Sequence, residues 1–180
     1  IRIGHARNLI DRMVKGERYD IVFNIAEGIK GRAREAQVPA ILEVFEQPYV
    51  GSDPVTMGIT LDKALAKKIV SSEGIKTPGF FLAEENSSLD GFDLRFPVIV
   101  KAVCEGTSKS ISEKSIAYDA RALSENIGHI HSQYKQNALI EEFISGQELT
   151  VVVLGNRNCF AYPSVHIAIK GKTDLGNDIY

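Results

Sequence analysis

Three things are scarce in this 180-residue chain, and each scarcity closes off a class of function. Long apolar runs are missing: stretches such as LTVVVLG (149–155) are far too short to span a bilayer as a helix. An excess of one charge is missing too, since 21 Lys+Arg against 23 Asp+Glu leave a net charge of -2. No global field therefore recruits nucleic acid or an anionic membrane, and a phosphate ligand must be held by local lysines and backbone amides. Cysteine is nearly missing: Cys104 and Cys159 lie far apart with no CxxC. That argues against a disulfide framework and makes a reducing cytoplasm the expected setting. No charged-then-apolar leader opens the chain, so secretion has no support.

What is present has the composition of a soluble globular protein, 44% hydrophobic and 24% charged, long enough for one domain or two small lobes. The chain starts at Ile1 without an initiator Met and stops after NDIY without a capping signal, so both ends are expected to be cuts through something larger.

Apolar spacing predicts a helix over 6–15, with Leu9, Ile10, Met13 and Val14 on one face and Gly16 as its stop. Tyr19–Asn24 is a nearly continuous apolar run, the pattern of a strand buried on both faces of a parallel sheet. Residues 33–46 read as a helix disturbed by Pro39, and 48–54 as strand and turn. This order suggests the remnant of a doubly wound α/β lobe. From residue 57 the pattern becomes α+β with antiparallel hairpins. It has an amphipathic helix over 61–78 carrying Leu61, Leu65, Ile69 and Val70, then strands over 80–85 and 96–103, a helix over 118–134, and strands over 138–144 and 148–155.

Two stretches carry candidate chemistry. In IVKAVCEGTSKSIS (99–112), Lys101 near the end of a buried strand is costly unless it meets an anion. Gly106-Thr107-Ser108-Lys109 then offers flexible backbone, two hydroxyls and a second ammonium, which suits folding over phosphates. The same residues also suit an ordinary hairpin with a polar tip. In ALIEEFISGQELTVVV (138–153), alternation should turn one of Glu141 and Glu142 inward, and Glu148 follows a Gly turn. A ligand hydroxyl or amine would offset that burial; a solvated strand edge would need none. Asp62-Lys63 lies in a helix, where a lysine by itself is ordinary. Gly171-Lys172-Thr173 has the tail of a phosphate-binding P-loop, but the leading glycine is replaced by His166. His129 and His131 diverge on a helix and read as surface residues.

In this order the motifs resemble the ATP-grasp superfamily, and within it the D-alanine–D-alanine ligase group, across nearly the whole chain. QPYVGSDP (47–54) is similar to its PYxGS segment and LDKALAK (61–67) to its DKxxxK helix. FPVIVKAVCEGTSKSI (96–111) is similar to FPxxVKP…EGSSxGI, and LIEEFISGQELTVVVLG (139–155) to the VEEFIxGxExxV hinge. VFNIAEG (22–28) resembles the strand leading to a substrate loop. The resemblance implies a partial ATP-grasp fold with a Rossmann-like remnant over 1–56, a small lobe over 57–141 and the start of a large lobe over 142–180.

It also implies roles. Lys63 and Lys101 would hold ATP phosphates. Gly106, Thr107 and Ser108 would close over the triphosphate, helped by Lys109, with Thr107 and Lys101 at the reacting centre. Glu141, with Glu142, would sit at the adenine end, where the backbone at Phe143 and Ile144 reads the purine edge. Glu148 would accept from the ribose. The implied activity is ATP-dependent joining of a carboxylate to an amine through an acyl phosphate, helped by Mg2+ whose ligands lie past the equivalent of Tyr180. This segment alone would then be inactive. A non-catalytic nucleotide-binding or regulatory protein is the alternative. The implied partners are ATP and a small amino-acid or peptide substrate, with no nucleic acid and no membrane; a homodimer is compatible with the resemblance.

Three positions depart from the pattern: Ala102 stands for its proline, Thr107 for its serine and Ser110 for its glycine. Glu27-Gly28 stands where many D-alanine ligases have His-Gly, which argues against assuming D-alanine. Glu27, Gly28, Arg32 and Arg34 are the candidate contacts to a zwitterionic or anionic substrate.

Overall fold

The computed structural model describes residues 2–85 and 87–168, so Gly171-Lys172-Thr173 and the end of the expected large-lobe segment lie outside the described residues. The chain forms two compact units, one of residues 1–77 with 103–107 and the other of 78–102 with 108–180.

In the first unit, α1 (Ala6–Val14) is capped by His5, whose Nδ1 accepts from the Arg7 N–H at 3.1 Å. Its buried Leu9 and Met13 pack with Leu42 of α2 (Gln37–Val44), and Ile3, Tyr19, Val22, Phe45 and Tyr49 surround them. Pro39 falls in the first turn of α2, where its missing N–H has no intrahelical partner to lose. A 3-10 turn over Arg34–Ala36 precedes that helix.

Strands β1 (Val22–Phe23) and β2 (Tyr49–Val50) pair in parallel, as the apolar run suggests, but β1 is short and half exposed rather than buried on both faces. Phe23 is 72% accessible because β1 has one strand neighbour among the described residues. Gln47, only 3% exposed, clamps this pair: its Oε1 accepts from the Tyr19 N–H at 2.9 Å, and its Nε2 donates to the Tyr19 carbonyl at 2.6 Å.

The helix expected over 61–78 is shorter, covering 63–72, and a separate helix that ends at Leu61 precedes it. This preceding helix, α3 (Pro54–Leu61), starts at Asp53, which accepts from the Thr56 N–H at 2.7 Å with proline in the first turn. Asp62 then leaves helical geometry at ψ 97° and caps α4 (Lys63–Ser72). Leu61 belongs to the earlier helix, and Leu65 and Ile69 are more than a third exposed, while Ala64 and Lys67 are buried. Lys67 is tolerated there because its Nζ donates to Thr77 Oγ1 at 2.6 Å.

The second unit is built on an antiparallel sheet of order β3-β6-β4-β5, made by β3 (Phe80–Ala83), β4 (Val98–Ala102), β5 (Ile116–Ala117) and β6 (Ala138–Glu142). Helix α5 (Ala120–Tyr134) starts at Asp119, whose carboxylate accepts from the Ala122 N–H at 2.8 Å. Its Leu123, Ile127 and Ile130 recur at helical spacing and join Val98, Val100, Ala102, Ala138 and Ile140 in one core. Because strand side chains alternate, the opposite sheet face carries Ile99, Lys101, Leu139 and Glu141. His131 is not a free surface residue; its Nε2 lies 3.1 Å from the Ala83 carbonyl.

The expected strand over 148–155 is split into β7 (Leu149–Thr150) and β8 (Val153–Leu154). They pair antiparallel with β10 (Val165–His166) and β9 (Phe160–Ala161) respectively, all exposed. No described helix is long and apolar enough to cross a membrane.

Candidate functional site

In the first unit the candidate residues gather where α4 begins. Lys63 is the first residue of α4; its N–H donates to the Val103 carbonyl at 3.0 Å, and its ammonium donates to the Glu105 carbonyl. Asp62, 6% exposed, accepts from the Leu65 N–H at 3.0 Å and from Arg32 Nη2 at 2.6 Å. Burial works to raise its carboxyl, but the Leu65 N–H and the Arg32 guanidinium outweigh burial and hold it below its ordinary value.

A depressed carboxyl stabilises the fold above the unfolded value of about 4 and loses that contribution as pH falls through the folded value. Asp62→Ala is therefore expected to cost about 1 kcal/mol near neutrality, the usual loss for a helix cap. The gap should narrow as pH falls below the unfolded value of about 4 and the folded carboxyl in turn protonates. Urea unfolding at pH 7, 4 and 3 checks this, and a gap that widens on acidification contradicts it.

Arg34 is the least exposed of the expected substrate contacts, and its partners are internal. Its Nη1 donates to the Cys104 carbonyl at 2.7 Å and its Nη2 lies 3.4 Å from the Glu105 carboxylate. Arg32 is the opposite case, with a side chain 77% exposed apart from its contact with Asp62. Gly28 is exposed at φ 69°, and a Cβ there would come within 2.8 Å of Arg34 Cβ, so the loop approaches the Arg34 backbone closely. Glu27 is half-buried. Gly106 keeps Glu35 near it, with a Glu35 carboxylate oxygen 3.5 Å from where a Cβ would stand. Burial, then the Asp62 charge, pushes the Cys104 thiol up, which makes it a poor nucleophile.

In the second unit Lys101 and Glu141 meet. Register sets Lys101 opposite Leu139 and Glu141 opposite Ile99, so the two charged residues are diagonal neighbours on the face away from α5. Their ammonium and carboxylate form an ion pair with side chains 21% and 10% exposed. Glu142 points the other way, and its carboxylate accepts from the Gly79 N–H at 3.3 Å. The Phe143 N–H donates to the Pro97 carbonyl at 3.0 Å, while the Ile144 side chain is 68% exposed. Glu148 is exposed, and its carbonyl accepts from the Ile167 N–H at 2.9 Å.

The segment after β4 has unusual backbone. Thr107 and Ser108 adopt positive φ, 51° and 56°, without being glycine, which is rare for a β-branched residue. Ser110 is not among the positive-φ residues, so serine in place of the pattern's glycine meets no left-handed backbone penalty there. Lys109 is exposed, with its carbonyl accepting from the Tyr134 hydroxyl at 2.7 Å.

Sequence reading missed the Asp62 cap, although Asp before a helical run is a start signal. It also missed the inward turn of Arg34, which no local pattern announces. Among the described residues, no three His, Cys, Asp or Glu converge to hold a metal ion.

Comparison with known proteins agrees with this architecture. The family described as D-ala D-ala ligase C-terminus matches residues 70–175. The chain is 37% identical over 149 residues to the uncharacterized protein y4sG of Sinorhizobium fredii, covering 83% of this chain and 43% of that protein. It is 32% identical over 178 residues to the D-alanine–D-alanine ligase of Carboxydothermus hydrogenoformans, covering 94% of this chain and 55% of that one. Among solved structures it is similar to the D-alanine–D-alanine ligase of Bacillus anthracis complexed with ATP. That match has a TM-score of 0.74 and 26% identity, over 96% of this chain and 55% of that one. The chain thus spans about half the length of the curated relatives it matches.

Proposed function

The chain belongs to the D-ala D-ala ligase C-terminus family, and on that footing we propose that its parent protein is an ATP-dependent carboxylate–amine ligase. The observation that carries the proposal is the Lys101–Glu141 pair, fixed by register on one sheet face, with the Gly106–Ser108 segment beginning five residues after Lys101 in sequence. An ammonium preset by a carboxylate, next to a run of small residues, is suited to binding a polyanion.

Lys63 and Lys101 neutralise the phosphates of ATP. A phosphate oxygen carries negative charge and is a stronger acceptor than the neutral Glu105 carbonyl, so it draws the Lys63 ammonium from it. Gly106, Thr107 and Ser108 donate to the triphosphate with help from Lys109. Thr107 and Lys101 touch the reacting γ-phosphoryl. Glu141, Glu142, Phe143 and Ile144 address the adenine, and Glu148 the ribose hydroxyls.

The γ-phosphoryl passes to the substrate carboxylate, ADP leaves, and an amine attacks the acyl phosphate to release phosphate and form the amide. Catalysis by this chain is charge neutralisation and positioning. The substrate is an amino acid or short peptide, met in part by Glu27 and Gly28. Magnesium accompanies ATP in this reading, although no three His, Cys, Asp or Glu side chains among the described residues converge to hold it. The lobes run over 57–141 and from 142 onward, after an α/β remnant over 1–56; the cytoplasm is the expected setting, and a homodimer is compatible with this reading.

The test is phosphate release from ATP by the full-length protein, screened over D- and L-amino acids and dipeptides. Release that depends on one amine and one carboxylate substrate supports the ligase. Tight ATP binding with no acceptor-dependent turnover would replace it with a nucleotide-binding regulator.

A further inference from the structure

A loop that keeps two non-glycine residues at positive φ must be held there by its surroundings, because each costs about 1–3 kcal/mol. Within the second unit the holding contacts are on the residues that follow. The Ile111 N–H donates to the Ser108 carbonyl at 3.0 Å, closing a turn, and the Tyr134 hydroxyl of α5 binds the Lys109 carbonyl. Ser110, 9% exposed, accepts through its Oγ from the Ala102 N–H at 3.0 Å, and its carbonyl accepts from Ser115 Oγ at 3.3 Å.

Ala102 is the last residue of β4, immediately after Lys101, and β5 pairs only with Val98 and Ile99. The Ser110 hydroxyl therefore reaches the β4 edge beyond the end of β5. Both partners of this contact sit where the chain departs from the pattern it resembles. Proline at 102 has no N–H to give, and glycine at 110 has no hydroxyl to receive it. The two substitutions supply the two halves of one hydrogen bond.

We propose that Ser110 and Ala102 form a latch, with Ser110 as a positioning residue that holds the loop after Lys101 in a fixed conformation for the triphosphate. The proposal rests on the ATP-binding reading above for its purpose, but not for its geometry. Losing the latch leaves the phosphate-binding groups in place and removes their preorganisation, so it acts on ATP binding before it acts on turnover.

Two measurements on the full-length protein separate the latch from the reading it serves. In amide hydrogen exchange, Ser110→Ala is expected to speed exchange at Ala102 roughly fivefold, the equivalent of one ordinary hydrogen bond, and Ser110→Thr to restore protection. In steady-state kinetics, Ser110→Ala should raise the KM for ATP roughly fivefold with little change in kcat. Ala102→Pro should do the same, and the double variant Ala102→Pro/Ser110→Gly should be no worse than either single. Unchanged exchange at Ala102 in Ser110→Ala, or single-variant effects that multiply in the double, overturns the latch. Wild-type protein that binds no ATP overturns the nucleotide reading instead, and the exchange result then decides the latch by itself.

Discussion

Lys101→Ala is expected to weaken ATP binding roughly a hundredfold, the loss of a charged donor to a phosphate oxygen in a partly desolvated place. It is also expected to lower stability by about 3 kcal/mol, because Glu141, with its side chain only 10% exposed, would lose the ammonium it pairs with. The two effects have different causes and can be pulled apart. Lys101→Met with Glu141→Gln removes both charges, so stability should return while ATP affinity stays low. Isothermal titration with ATP and urea unfolding of the same preparations read both. If the double variant binds ATP as wild type does, Lys101 has no phosphate role.

Arg34→Ala is the second large effect, expected to cost about 3 kcal/mol in unfolding free energy. The guanidinium is almost fully buried and makes a charged hydrogen bond to the Cys104 carbonyl as well as an ion pair with Glu105. Arg34→Lys keeps the charge but not the two-pronged geometry, and should recover less than half of the loss. An Arg34→Ala protein within about 0.5 kcal/mol of wild type would mean that water replaces both contacts at little cost. Such a result would reopen the expectation that Arg34 faces substrate. Arg32, with a side chain 77% exposed, should contribute far less to stability when truncated.

Local pattern made much of this fold legible. The helix expected over 118–134 is α5 to within two residues, and the run FPVIVKAV placed β4 within a residue or two. Alternation correctly turned one glutamate of the 141–142 pair inward. What local pattern could not supply was register, and the Lys101–Glu141 contact exists only because β4 and β6 pair with Lys101 opposite Leu139. Helix α3 was missed because PVTMGITL contains a glycine and several β-branched residues, and only its Asp-Pro start marks it. The apolar stripe on α4 misled in another way: Leu65 and Ile69 are as hydrophobic as a core demands, yet tertiary context exposes them. Family resemblance supplied the candidate binding residues, and the structure added two contacts that no local pattern announces, Arg34 to the Cys104 carbonyl and Ser110 to the Ala102 N–H.

The strand order β3-β6-β4-β5 also has a consequence in time. As the chain emerges during synthesis, β4 appears some forty residues before the strand that flanks its other edge, and it can meet β5 and the start of α5 first. Lys101 is made long before Glu141 exists, so the lysine stays hydrated until β6 arrives. The β4–β6 pairing is a contact of long sequence separation, the kind that forms more slowly than the local contacts of α5. The charged pair thus forms only once β6 has been made, and a nascent chain stopped short of residue 138 would lack it.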